Sequence, residues 1–371
     1  MDGSQAARKK GVLNLGLNDG TYMANAAVKV LQDYAHPTGL RNYSAADNLP
    51  LRQAIAKVDG VSADHIFVHN GSGPILKQVI PALIKQKILS SPLRILRHLL
   101  FKGGCPIISP TLTYEKVPAK AILQGLQVEL IEVGPENNFA LDVAELRRRL
   151  QKSPGLVYVV NPNNPSGTVT LPRADVERLA GEFPETLFWV DEAYIQYADP
   201  SLGISVSDLV PRFPNLFVGR TFSFAYGLAA ARIGYMIGNP DVVRKQSEPL
   251  TDYRVGALQE ALAIASLEDP DHLPFIRKNT AAAREELTRG LERLPGVQVF
   301  PSLTNFLLCR LNEGARIRTG AELAEKLATR GIRIKSIAPF GPYRHDAYFR
   351  ITTGLPDEHA RILQDLEELL G

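Results

Sequence analysis

Asp191 and Glu192 stand side by side at the end of the apolar run TLFWVDE (186–192). So apolar a strand does not bury unpaired charge cheaply, and a carboxylate there wants a cationic partner. A protonated pyridinium nitrogen, a metal ion or a buried arginine would each serve. No cluster of His, Cys and carboxylates accompanies the pair, which argues against metal. A second string, Asn70-Gly71-Ser72-Gly73, follows the apolar run HIFVH (65–69) and precedes a helical stretch, Pro74–Ile84. Small residues in such a turn let backbone N–H groups reach a phosphate at a helix N-terminus, where the macrodipole also favours an anion. The same string equally suits an ordinary tight turn. It lacks the third glycine of a dinucleotide fingerprint, which counts against a nicotinamide cofactor. A third string, NPNNPSG (161–167), also follows an apolar run; a Pro-rich loop whose asparagines cap their own backbone is the structural alternative to a ligand-binding role.

Short apolar runs alternate with helical-period segments, the pattern of a parallel sheet with crossover helices. Buried strands are expected at 65–69, 106–109, 127–133, 155–161, 186–192, 216–221 and 232–238. The three strings sit at the C-terminal ends of such strands, where open α/β sheets place their ligands. From about Pro249 the character changes to long helical stretches (254–267 and 273–294), then VQVFPSLTNFLLCRL and YFRITTG as strands of a smaller α+β unit, and a terminal helix at 356–370. At 371 residues, one large and one smaller domain is the expectation. A net charge of +3 is too small to argue for nucleic acid or an anionic membrane as a general partner. Cys105 and Cys309 give neither a disulfide framework nor metal-ligand spacing, which fits a reducing cytoplasm; no secretory signal opens the chain. The segment 84–104 is basic, Leu-rich and roughly helical in period. It reads as a surface helix packing Leu93, Leu96 and Leu100 on its own domain or on a dimer partner. A membrane-surface helix is the alternative, short and with a proline in its middle.

These strings, with RTFSFAYGLAAARIGY (220–235), RNYSAADN (41–48), LTNFLL (303–308) and YFRITTG (348–354), resemble in order the class I/II aminotransferases that use pyridoxal 5′-phosphate (PLP), nearest the histidinol-phosphate aminotransferase and threonine-phosphate decarboxylase branch. The resemblance spans about residues 12–368 and implies an α/β, fold-type I PLP-transferase: a large mixed seven-stranded sheet domain plus a small C-terminal α+β domain. Residues 1–44 would be an N-terminal arm contributing to the small domain, 45–248 the large PLP-binding domain and 249–371 the small one. It further implies that Gly71, Ser72, Gly73, Ser223 and Arg232 hold the cofactor phosphate, Asp191 the pyridine nitrogen, and Asn164 and Tyr194 the 3′-oxygen. Tyr114 would stack on the ring. Tyr43 would reach the cofactor of a partner subunit, so a homodimer is expected. Arg350 matches the arginine that forks onto a substrate carboxylate, which lysine cannot imitate. Asn305 and Asn18 lie toward the substrate, and Lys335 with Arg344 leaves room for a second anionic group.

One departure governs the functional expectation. In the family the residue after the serine of the 220–235 string is the lysine that carries the cofactor as a Schiff base and moves protons; here it is Phe224. Phenylalanine can do neither. Lys335 is the one distant lysine that could substitute. The expectation is an aminotransferase-like enzyme that binds PLP or pyridoxamine phosphate non-covalently, acts on an amino acid or keto acid with atypical chemistry in which Tyr194, water or the substrate itself moves the proton, and needs no metal, nucleic acid or membrane. The alternatives are a non-catalytic descendant that binds PLP, an amino acid or a partner protein, and an ordinary aminotransferase inactivated by one substitution.

Overall fold

The computed structural model describes residues 12–44, 47–101, 105–247, 255–338 and 343–371. Its largest sheet has seven strands in the spatial order Ile66–His69, Gly234–Ile237, Leu216–Thr221, Leu187–Asp191, Leu156–Val160, Ile107–Pro110, Val128–Ile131. All neighbours run parallel except Gly234–Ile237, which is antiparallel to both of its neighbours, so the expected mixed seven-stranded sheet is present. The strands read as continuous apolar runs because both faces are covered. Val157 and Val159 enter one core while Leu156, Tyr158 and Val160 enter the other, the two-residue alternation of a strand.

Register is what assembles the site. Val160 lies opposite Asp191, and Asp191 opposite Gly219, so three parallel strands end nearly level. The loops that leave those ends carry NPNNPSG, the residues after Asp191, and Ser223-Phe224. They open on one edge of the sheet.

A four-stranded antiparallel sheet (Lys335–Ser336, Tyr348–Thr352, Phe306–Leu311, Val297–Val299) packs with the helices His272–Leu291, Gly320–Thr329 and Pro356–Leu370 around a separate core. Leu13–Asn14 pairs in parallel with Ile332–Arg333, tying the N-terminal arm to this part of the chain.

The 84–104 segment departs from expectation. The helix beginning at Ser72 runs on to Leu89, and a second helix, Pro92–Phe101, follows. Pro92 therefore opens a helix, where its missing N–H costs nothing, and does not interrupt one. Leu93, Leu96 and Leu100 do not pack on the chain's own core; all three are exposed.

Candidate functional site

Asp191 and Glu192 find different answers to their burial. Glu192 is fully buried and accepts from Arg220 Nε (3.0 Å) and Nη2 (2.7 Å), Val206 N–H and Ser205 Oγ. Arg220 also pairs with buried Asp59, which in turn accepts from Tyr235 Oη at 3.0 Å. The buried-arginine alternative is thus correct for Glu192, and Arg220 went unread in the sequence although it is the one charge in the apolar run LFVGRT.

Asp191 has no arginine. Among the described residues it accepts from Tyr158 Oη (3.2 Å) and from the Ala193 N–H (3.2 Å) and from no other. Burial pushes its carboxyl from 3.8 up to about 7, with those two hydrogen bonds opposing and the Glu192 charge adding. An acid with a raised folded pKa costs the fold stability as pH climbs from its unfolded value through its folded one. In the cofactor-free chain, Asp191→Asn should therefore gain thermal stability relative to wild type at pH 8 and much less at pH 5. An equal difference between the two proteins at both pH values would show that Asp191 is not a strained carboxylate.

Beside it lies a corner suited to an anion. Gly71 caps the helix Ser72–Leu89 with φ 94°, a left-handed conformation, and a Cβ there would lie 2.7 Å from Arg232 Nη2. Arg232 Nη1 reaches Ser223 Oγ at 3.5 Å, and Ser223 Oγ accepts from Thr221 Oγ1 at 3.0 Å. Gly71, Ser72, Ser223 and Arg232 thus converge, and Gly73 lies in the first turn of the same helix. Tyr114 is half-buried; burial, the largest cause, pushes its phenol up to about 12, with the Asp191 charge adding and the Arg232 charge opposing.

A cavity of ≈ 260 Å³ is lined among others by Asn18, Tyr114, Asn164, Tyr194, Phe224 and Arg350; Asp191, Ser223 and Arg232 are not part of its lining. Of the NPNNP asparagines, Asn161 bonds the Leu171 carbonyl and the Thr170 N–H, and Asn163 bonds Ser166 and the Leu112 carbonyl. Asn161 thus holds its own loop, and Asn163 also ties that loop to the chain at Leu112 and Thr113. Asn164 instead donates to Tyr194 Oη (3.2 Å) and accepts from Arg350 Nη1 (2.5 Å). Tyr194 Oη also accepts from Asn18 Nδ2 at 2.9 Å, and burial holds its phenol well above the usual range. The Phe224 ring lies flat on Tyr194, centroids 4.6 Å apart at 14°, while Phe306 meets Tyr194 edge-on. The loop under Phe224 is held by His272, whose Nε2 bonds the Ala225 carbonyl at 2.9 Å, and by Gly20, where any Cβ would strike the Phe224 carbonyl.

Arg350 is 6% exposed, spans Asn164 and the Gly16 carbonyl (2.6 Å), lies over Phe306, and leaves its buried Nε without a partner among the described residues. Asn305 donates to the Asn18 carbonyl at 3.0 Å with its Oδ1 unmatched, and Asn18 closes a pair of bonds with Thr352. Lys335, opposite Arg350 in register, lies at the cavity mouth 3.8 Å from Glu115. Arg344 does not join it. Arg344 is exposed and outside the lining, whereas the next residue, His345, contributes to the wall. Lys116, also at the wall, lies over the Tyr114 ring at 5.8 Å and was equally unread. Tyr43 is 81% exposed.

The residues fit a phosphorylated pyridine. A buried carboxylate that lacks a cation suits a protonated ring nitrogen, and the Gly71–Ser223–Arg232 corner suits a dianion. Among the described residues no group of three or more His, Cys, Asp or Glu side chains could hold a metal, and no helix is long and apolar enough to cross a membrane.

The chain is similar to known proteins. The family model "Aminotransferase class I and II" matches residues 10–365. Histidinol-phosphate aminotransferase 1 of Bradyrhizobium diazoefficiens is 32% identical over 366 residues, covering 98% of this chain and 94% of that protein. Histidinol-phosphate aminotransferase 2 of Rhizobium meliloti is 33% identical over 370 residues, with 98% and 94% covered. Among solved structures, histidinol-phosphate aminotransferase from Sinorhizobium meliloti in complex with pyridoxal-5′-phosphate superposes with TM-score 0.78 at 24% identity, over 96% of this chain and 90% of that one. L-threonine-O-3-phosphate decarboxylase from Porphyromonas gingivalis gives 0.75 at 24% identity, over 96% and 99%.

Proposed function

The chain belongs to the class I and II aminotransferase family, and from that premise we propose that it binds PLP or pyridoxamine phosphate non-covalently and acts on an amino acid or keto acid. The observation that carries this reading is Phe224 at the cavity wall, flat against Tyr194, with Ser223 preceding it in the chain and reached by Arg232. Asp191, buried with no cationic partner among the described residues, is costly without a ligand to answer it, which supports retention of the ligand; Arg232 is exposed and adds nothing to that cost.

In this reading Ser72, Ser223 and Arg232 hold the phosphate, Asp191 keeps the ring nitrogen protonated, Asn164 and Tyr194 bond the 3′-oxygen, and Tyr114 covers the ring. Tyr43 completes the site of a second copy in a homodimer. The cofactor, when bound, supplies an electron-withdrawing ring that stabilises negative charge beside the substrate nitrogen. Phe224 offers no proton and accepts none. Tyr194 keeps its proton at neutral pH because burial raises its pKa, so it donates hydrogen bonds and is a poor base. Arg350 takes the substrate carboxylate by exchanging a present contact for it, and Lys335 and Lys116 leave the cavity mouth able to receive a second anionic group. The division into an arm (1–44), a large domain (45–248) and a small domain (249–371) completes the proposal.

Absorbance on addition of PLP to the purified chain, with and without a panel of amino acids, tests this. A shifted chromophore is expected, lost in Asp191→Ala; its amino-acid dependence should be lost in Arg350→Ala; and light scattering at micromolar concentration should give a dimer. A chain that never perturbs the PLP spectrum is not a PLP enzyme and leaves the non-catalytic reading. A monomer that still holds PLP refutes the role of Tyr43.

A further inference from the structure

The helix Pro92–Phe101 is oriented with its leucines outward. Its inner side is fixed by Ile95, which packs against the core, and by Arg94, which joins Lys87 on Glu185 at 3.2 and 3.4 Å. What remains outward is Leu93 (57% exposed), Leu96 (52%), Leu99 (74%) and Leu100 (63%), with Leu89 (70%) at the end of the preceding helix. Scattered surface leucines are ordinary, but four on one ten-residue helix form a face that something should cover.

The charge around this face identifies the kind of partner. From His65 to Tyr114 the chain has no Asp or Glu, yet it carries Lys77, Lys85, Lys87, Arg94, Arg97 and Lys102. Those six cations stand in a protein whose whole net charge is only +3, so the whole-chain value, which argues against a membrane partner, averages over a strongly basic segment. Glu185 answers Lys87 and Arg94. Lys85 and Arg97 are exposed, and Arg97 sits among the outward leucines. A two-fold contact between copies through this helix would bring two copies of the same basic segment together, with no carboxylate of the segment to pair Arg97. Apolar side chains on an outward helix surface, flanked by cations, match instead an interface whose apolar layer lies beneath an anionic one.

We propose that the helix Pro92–Phe101 docks this protein on an anionic lipid surface, with Leu93, Leu96, Leu99 and Leu100 entering the headgroup boundary and Lys85 and Arg97 meeting lipid phosphates. A helix of this length covers about 15 Å of surface, enough for reversible and not for permanent attachment.

Co-sedimentation of the full chain with phosphatidylcholine vesicles, with and without one third phosphatidylglycerol, tests it. Binding to the anionic vesicles should be stronger by about tenfold or more and should weaken as salt rises. Leu96→Glu/Leu100→Glu and Lys85→Glu/Arg97→Glu should each abolish the preference; all four side chains are exposed, and an unchanged melting temperature checks the fold. A fluorophore on Leu99→Cys, which leaves the other leucines in place, should shift to the blue on anionic vesicles only. Equal binding to both vesicle types, an unshifted fluorophore, or a leucine variant whose only change is a smaller oligomer would overturn the proposal, the last by assigning the face to a second copy.

Discussion

Phe224→Lys should acquire a covalent bond to PLP that borohydride fixes, whereas the wild-type chain treated in the same way should release all of its cofactor. Position 224 lies on the cavity wall, and its backbone is held by the His272 contact to the Ala225 carbonyl and by the close approach of Gly20. A lysine stem replacing the ring would therefore point into the same space. The variant should also recover proton transfer. A positioned general base is worth ~10²–10⁴-fold in rate, and single-turnover transamination by Phe224→Lys should exceed wild type by about that factor. A wild-type rate of ~1–10³ s⁻¹, the ordinary range of enzymes, would remove the argument from Phe224. Cofactor fixed by borohydride to any lysine of the wild-type chain, Lys335 and Lys116 being the ones to inspect, would overturn non-covalent binding directly.

Arg220→Ala should be the most damaging single change to stability among the residues near the site. It leaves Asp59 and Glu192 buried beside the sheet with no cation, and breaking a buried pair by removing one partner costs about 3–5 kcal/mol. The urea midpoint should fall accordingly. Adding Asp59→Asn and Glu192→Gln to the same chain should recover much of the loss, because uncharged amides no longer need the guanidinium. A midpoint unchanged by Arg220→Ala would mean that the triad is hydrated and contributes little.

The family, the strand runs and the order of the site strings were legible in the sequence because each rests on local information, whereas the local pattern read as a parallel sheet and only the family resemblance implied a mixed one. Apolar runs too short for helices mark strands; polar strings directly after them mark the sheet edge where ligands bind; and a residue type such as Phe224 is read off without any coordinates. NPNNPSG was legible as a string but not in its division of labour. Whether an asparagine caps its own loop or faces a ligand depends on backbone direction, and only the folded loop turns Asn164 toward Tyr194 and Arg350 while Asn161 and Asn163 hold the turn.

What tertiary structure alone decided is where side chains separated by long stretches of chain meet. Glu192 and Asp191 are neighbours in sequence and looked alike, yet alternate strand positions face opposite sides of the sheet, so one met Arg220 and Asp59 and the other met Tyr158. The fold likewise put His345 and not Arg344 at the cavity wall. In the helix Pro92–Phe101, periodicity showed that a leucine face exists, but not which way it points. A helical pattern fixes the relative positions of side chains around the axis, and the rotation of that axis was set by Ile95 on the core and by Arg94 on Glu185, contacts no local pattern encodes.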